Sequence, residues 1–168
     1  YLDSIGTYSP EQWTISDFLR PNSVRENHLL REDEKMWLRA WQYFVKMIPQ
    51  DNLPGFPIWA DEWVHIDELK IPRGTPAWKE NFLIKNAEFY TKNKKLIDKW
   101  LKKHNNLESF PPSRRKLEWQ AQDAKSLNET IMHFRPSGIR AKKATYVPAL
   151  VAITQTSILG KQKRRITF

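Results

Sequence analysis

Apolar residues recur at helical spacing from about Glu32 to Ile48. Trp37, Trp41, Phe44 and Ile48 fall at i, i+4, i+7 and i+11, with Met36, Ala40 and Met47 beside them. Glu32, Asp33 and Glu34 stand in the first turn, where a helix dipole favours negative charge, and Pro49 stops the pattern. The spacing predicts a core-packing helix. Tyr1 to Leu30 reads as irregular, with Ser16 capping a short turn ahead of Phe18 and Leu19 and Pro21 ending it. Residues 49–76 are rich in proline and aromatic residues rather than small polar ones, so they are expected to wrap the core, not to link two domains. Thr75-Pro76 then opens a second helix reaching about Lys103, with Trp78, Phe82, Phe89, Leu96, Trp100 and Leu101 as its apolar stripe. Asn86 and Asn93 lie on that stripe, as structural polar contacts or as points where the helix breaks.

After Asn106 the character changes. Ser113 is expected to cap a short helix from Arg114 to about Gln122, and Ser126, followed by Glu129, another through His133. From Ile139 onward β-branched residues and threonines accumulate and favour two short strands, with Gly160 at a turn. The expected fold is α+β: a helix-rich small domain spanning residues 1–168, with a few short C-terminal strands.

Composition sharpens this picture. A chain of 168 residues with eight tryptophans and 40% apolar residues is long and apolar enough for one real core. No stretch has the length of a membrane helix, Tyr1 opens no signal peptide, and the lack of an initial methionine reads as a piece of something longer. The net charge of +9 is unevenly placed: residues 109–168 hold 12 basic and 3 acidic side chains, while residues 1–60 hold 6 and 8. Such asymmetry suits a polyanion such as nucleic acid; the alternative is a solvated basic surface.

Candidate chemistry is sparse. With no cysteine there is no disulfide, no thiolate metal site and no cysteine nucleophile. His28, His65, His104 and His133 lack metal-ligand spacing, and His65 beside Asp67 reads as a partly exposed structural residue. No phosphate-binding loop, dinucleotide fingerprint or nucleophile elbow is present. No catalytic, cofactor-binding or metal-ligating residue is therefore assigned. The basic third offers more. Arg114, Arg115 and Lys116 stand behind the Ser113 cap, where free helix N–H groups would hold a phosphate. Further on, Gly138 allows a turn, and Arg140 and Lys142 share one face if the chain is extended, with Ser137 and Lys143 on the other. Arginine forks match guanine O6 and N7, whereas lysines more often hold phosphates; the competing reading is a charged, solvated hairpin edge.

Three stretches carry a family resemblance: Phe110-Pro-Pro-Ser-Arg-Arg-Lys-Leu-Glu-Trp-Gln-Ala-Gln122, Arg135-Pro-Ser-Gly-Ile-Arg140 and Tyr146-Val-Pro-Ala-Leu-Val-Ala-Ile-Thr-Gln-Thr156. Together they resemble the target-recognition region of bacterial DNA (cytosine-5) methyltransferases. Lys163-Arg-Arg-Ile-Thr167 resembles the start of the family's ninth motif, with Phe168 where proline is usual, and Thr14-Ile-Ser-Asp-Phe-Leu19 is similar to the segment after the eighth. The family's Phe-x-Gly-x-Gly loop, Pro-Cys nucleophile and Glu-Asn-Val acid have no counterpart here. The resemblance implies a restriction–modification methylase as parent protein. It would transfer methyl from S-adenosylmethionine bound outside this chain, with the reaction absent from the chain itself. It further implies double-stranded DNA and a catalytic domain of the same parent chain as partners, in a cytoplasmic monomer without membrane contact. The DNA-contact set is then Arg114, Arg115, Lys116, Arg135, Ser137, Arg140, Lys142, Lys143, Thr145, Gln155 and Thr156, with Arg135 and Arg140 foremost for guanine. Two other readings stand beside it: a self-contained nucleic-acid-binding protein, and a protein-interaction domain using exposed tryptophans as anchors.

Overall fold

The computed structural model describes residues 29–145, 157–160 and 164–165. The expectations on Ser16, Gln155 and Thr156 lie outside them. Two long helices, α1 (Glu32–Met47) and α2 (Ala77–Lys103), cover one face of a mixed sheet. The sheet's strands are β1 (Ile58–Trp59), β2 (Lys116–Gln120), β3 (Thr130–Arg135), β4 (Gly138–Lys143), β5 (Ile158–Leu159) and β6 (Arg164–Arg165). Among the described residues their order is β1-β2-β4-β3-β5-β6. The β2–β4 pair is parallel, and every other neighbouring pair is antiparallel. This is the α+β class expected from the sequence.

The α1 helix forms where the apolar spacing places it, and Trp37, Trp41, Phe44 and Ile48 are all buried. Its first turn is closed by Glu34, whose Oε2 accepts the Arg31 backbone N–H at 3.0 Å. That buried carboxylate also pairs with Arg165, so β6 is fastened to the start of α1. Trp100 of α2 donates its indole N–H to Ala40 O at 2.8 Å and lies 4.9 Å from the Phe44 ring and 5.0 Å from Trp41, centroid to centroid. This aromatic cluster forms the middle of the core. Sheet residues Leu117, Trp119, Met132, Ile139, Ala141 and Ile158 close it from the other side.

The connector wraps the core as expected, passing through short 3-10 turns and β1. Asn86, fully buried, holds it to α2. Its Oδ1 accepts the Trp59 N–H at 2.7 Å, and its Nδ2 donates to Pro57 O at 3.0 Å and Phe82 O at 2.9 Å. Asn93 satisfies both expectations: its amide donates to Phe89 O at 3.0 Å, and its backbone is non-helical, at φ −112° and ψ 15°. Trp78 departs from the expected stripe. It is 62% exposed, and the buried side of α2 runs instead through Leu83, Asn86, Ala87, Phe89, Asn93, Ile97 and Trp100.

The two short C-terminal helices are corrected to strands. A 3-10 turn at Pro112–Arg114 takes the place of the helix start, and residues 116–120 are β2, burying Leu117 and Trp119 while Lys116, Glu118 and Gln120 face the other way. Leu, Glu, Gln and Lys are good helix formers, but pairing on both edges, with β1 and β4, outweighs that local preference. Ser126 does cap, accepting the Asn128 N–H at 3.0 Å, and Glu129 reaches back to the Lys125 N–H at 3.1 Å. The helix they would start ends after one 3-10 turn at Glu129, and β3 begins at once.

Two glycines are required by close approach. At Gly138 φ is +139°, and a Cβ would sit 2.9 Å from Lys116 Cβ. The two-residue link Pro136-Ser137 therefore closes the β3–β4 hairpin against β2 only because residue 138 has no side chain. At Gly160 a Cβ would lie 1.9 Å from Leu127 O.

Candidate nucleic-acid interface

Strand alternation divides the sheet into two faces. The inner face belongs to the core. The register of β2, β4 and β3 lines up the outer face in rows, Glu118 beside Arg140 beside His133 and Gln120 beside Lys142 beside Ile131; the β3 members His133 and Ile131 are buried, so this face is open along β2 and β4. Lys116 and Arg135 flank the Gly138 end of the same face. Of the eleven residues expected from the sequence, Lys116, Arg135, Arg140 and Lys142 are brought together here.

An acid lies among these cations. Glu118 Oε2 accepts from Arg140 Nε at 2.8 Å and from Arg135 Nη1 at 3.1 Å, and its Oε1 accepts from Gln120 Nε2 at 2.5 Å. On the opposite flank of Arg140, His133 is buried, with Nε2 2.8 Å from Ser157 Oγ. Burial first, and then the charges of Arg140, Lys142 and Arg135, hold the His133 imidazole below its ordinary pKa. Three cations thus stand around one buried imidazole, two of them paired with Glu118. Glu118, Gln120 and His133 were not anticipated from the sequence, because only the strand register brings them beside Arg140.

Arg114, Arg115 and Lys143 sit elsewhere, and several of the expected residues are already engaged within the fold. Arg114 is half-buried between aromatic rings, its guanidinium 4.7 Å from the Phe134 centroid and 5.5 Å from Trp37, with Nη1 donating to Arg135 O at 2.9 Å. Its own carbonyl accepts the Trp41 indole N–H at 2.8 Å. Arg115 donates to Phe110 O at 2.8 Å and pairs with Asp61 at 3.1 Å. No helix N-terminus forms behind Ser113, so the phosphate site expected there on helix grounds is absent. Lys116 lies over the Trp59 ring at 5.5 Å, and Lys143, exposed, pairs with Asp123. Ser137 is exposed at the hairpin tip; Lys142 and Thr145 also have partners.

His65 serves the structural role expected of it, accepting the Asp67 N–H with Nδ1 at 3.4 Å. Among the described residues no cluster of His, Asp or Glu suits a metal ion, and no helix is long and apolar enough to cross a membrane. Of the described glycines, Gly138 packs against Lys116, Gly160 against Leu127 and Asn128, and Gly55 against Gln122, while Gly74 has open space around it.

No protein-family model matches the chain, and no solved structure matches it significantly. A curated protein does: the Type II methyltransferase M.AluI of Cellulosimicrobium cellulans, 38% identical over a match that covers 82% of this chain. The chain spans 35% of that relative's length. Over most of its length this chain is therefore related to part of a type II methyltransferase.

Proposed function

We propose that residues 1–168 form the target-recognition domain of a bacterial DNA (cytosine-5) methyltransferase and that the outer sheet face lies against double-stranded DNA. The observation that carries this reading is the convergence of Arg135, Arg140 and Lys142 around His133 on one face of the sheet. Arg140, on the central strand, is the principal base-reading residue, with Arg135 and Ser137 reaching from the hairpin end. Lys116, Lys142 and Lys143 hold phosphates, and Thr145, Gln155 and Thr156 add polar contacts. Arg114 and Arg115, engaged with Trp37, Phe134, Phe110 and Asp61, support the strands that carry the face.

The parent enzyme belongs to a restriction–modification system. Its reaction requires a thiolate adding to cytosine C6, and this chain has no cysteine. The nucleophile, the S-adenosylmethionine site and the pocket for the flipped base fall to a catalytic domain of the same parent chain. That cofactor supplies the methyl group; the residues here orient the duplex. On this reading the chain alone is inactive, and the parent is a cytoplasmic monomer.

Fluorescence anisotropy with labelled duplexes tests the proposal. Binding should weaken steeply with salt, as counterion release demands. Arg140→Ala should cost about 1–3 kcal/mol and relax preference at one base pair. A uniform loss on all sequences with a shallower salt slope would make Arg140 a phosphate contact instead. Duplex binding that is absent, or insensitive to salt, refutes the proposal.

A further inference from the structure

Two guanidinium groups brought together on adjacent strands repel one another, and long arginine side chains lose considerable rotamer freedom when held in one geometry. Arg135 on β3 and Arg140 on β4 are nonetheless held together by a single carboxylate oxygen, Glu118 Oε2, at 3.1 and 2.8 Å. The three side chains are only 20–29% exposed, so solvent screens them less than an ordinary surface pair. Gln120, exposed on the same strand, donates to the other oxygen of that carboxylate.

The edge of Arg140 that Glu118 uses matters. A guanidinium can grip two acceptors through its Nε side or through its two terminal nitrogens. Glu118 takes Nε, and among the described residues Nη1 and Nη2 carry no hydrogen bond. The fork that remains is the one that fits guanine O6 and N7 end-on.

We infer that Glu118 is a positioning residue for DNA readout: it holds Arg140 by Nε, leaving the terminal nitrogens to a base edge, and sets Arg135 beside it. This rests on the proposed function. The role separates two quantities that a plain cationic face would keep together. An acid within that face weakens attraction to any duplex, while a fixed fork strengthens discrimination between base pairs.

The test uses the chain itself, Glu118→Gln and Glu118→Asp, each checked by thermal unfolding. A preferred duplex is first selected from a random pool by the unsubstituted chain. Each protein is then titrated against that duplex and against one altered at the base pair whose preference Arg140→Ala relaxes. Glu118→Gln should lower the affinity ratio about fivefold or more. It should also raise affinity for the altered duplex about twofold, since one negative charge is gone. Glu118→Asp keeps the charge but draws the oxygens back by a methylene, so it should lower the ratio with little change on the altered duplex. A merely structural role would instead lower stability and weaken both duplexes alike. Unchanged ratios in both variants, or binding by the unsubstituted chain without sequence preference, overturn this inference and leave DNA binding standing. Absence of duplex binding by the unsubstituted chain overturns the functional reading and this inference with it.

Discussion

Replacing Asn86 with alanine should destabilise the fold by an amount that can be worked from its bonds. The side chain is fully buried and holds the connector to α2 through the Trp59 N–H at 2.7 Å and Pro57 O at 3.0 Å. Its third partner, Phe82 O, lies within the helix and keeps its helical bond. Two connector groups therefore lose their partners, at about 1–3 kcal/mol for each one left unsatisfied; about 3 kcal/mol in all is expected. For a chain of this size that lowers the melting midpoint by about 6–12 °C. Asn93→Ala is the internal comparison. The bond Asn93 accepts from Asn52, its link to the connector, is long, at 3.4 Å, so about 1 kcal/mol or less is expected. Urea unfolding followed by far-UV circular dichroism and tryptophan fluorescence measures both. Equal midpoints for the two variants would refute the idea that buried amide bonds, rather than helix propensity, hold the connector in place.

Two further outcomes are expected. Gly160→Ala puts a Cβ where Leu127 O lies 1.9 Å away and should cost about 3 kcal/mol by forcing β5 off β3. Gly74→Ala meets open space at φ +86° and should cost only about 1 kcal/mol; equal thermal shifts would count against the packing argument. His133 is held neutral by burial and then by Arg140, Lys142 and Arg135, so the unfolded chain binds its proton more readily than the native one. Stability is then intact above the ordinary histidine pKa of 6.5 and is lost as pH falls from there toward the lowered native value. His104, lowered by burial and by Lys103, adds to the same loss. Urea midpoints between about pH 7.5 and 5.5 should fall less steeply for His133→Gln than for the parent chain, and an unchanged slope would refute the assignment.

The helices were legible because each buries a stripe its sequence spells out. Trp37, Trp41, Phe44 and Ile48 need only local spacing to be found, and the polar exceptions Asn86 and Asn93 announced themselves by interrupting such a stripe. The segment at residues 116–120 was misread although Leu117 and Trp119 alternate with Lys116, Glu118 and Gln120. Five residues of alternation are too few to outweigh helix-forming composition, and the partner that decides the matter, β4, lies some twenty residues further along. The same distance hid part of the candidate site. Arg135, Arg140 and Lys142 could be singled out by residue type, but Glu118 and His133 acquire meaning only once β2, β4 and β3 lie side by side.

The place of β4 between β2 and β3 has one more consequence. Its backbone is stitched along both edges, so residue 140 stands on a rung that cannot tilt without breaking ladders on each side. Side chains planted there change reach and chemistry while the frame beneath them stays put. Exchanging residue 140 for another polar type would then leave the strand beneath it in place, while the carboxylate it shares with Arg135 would have to find a new partner.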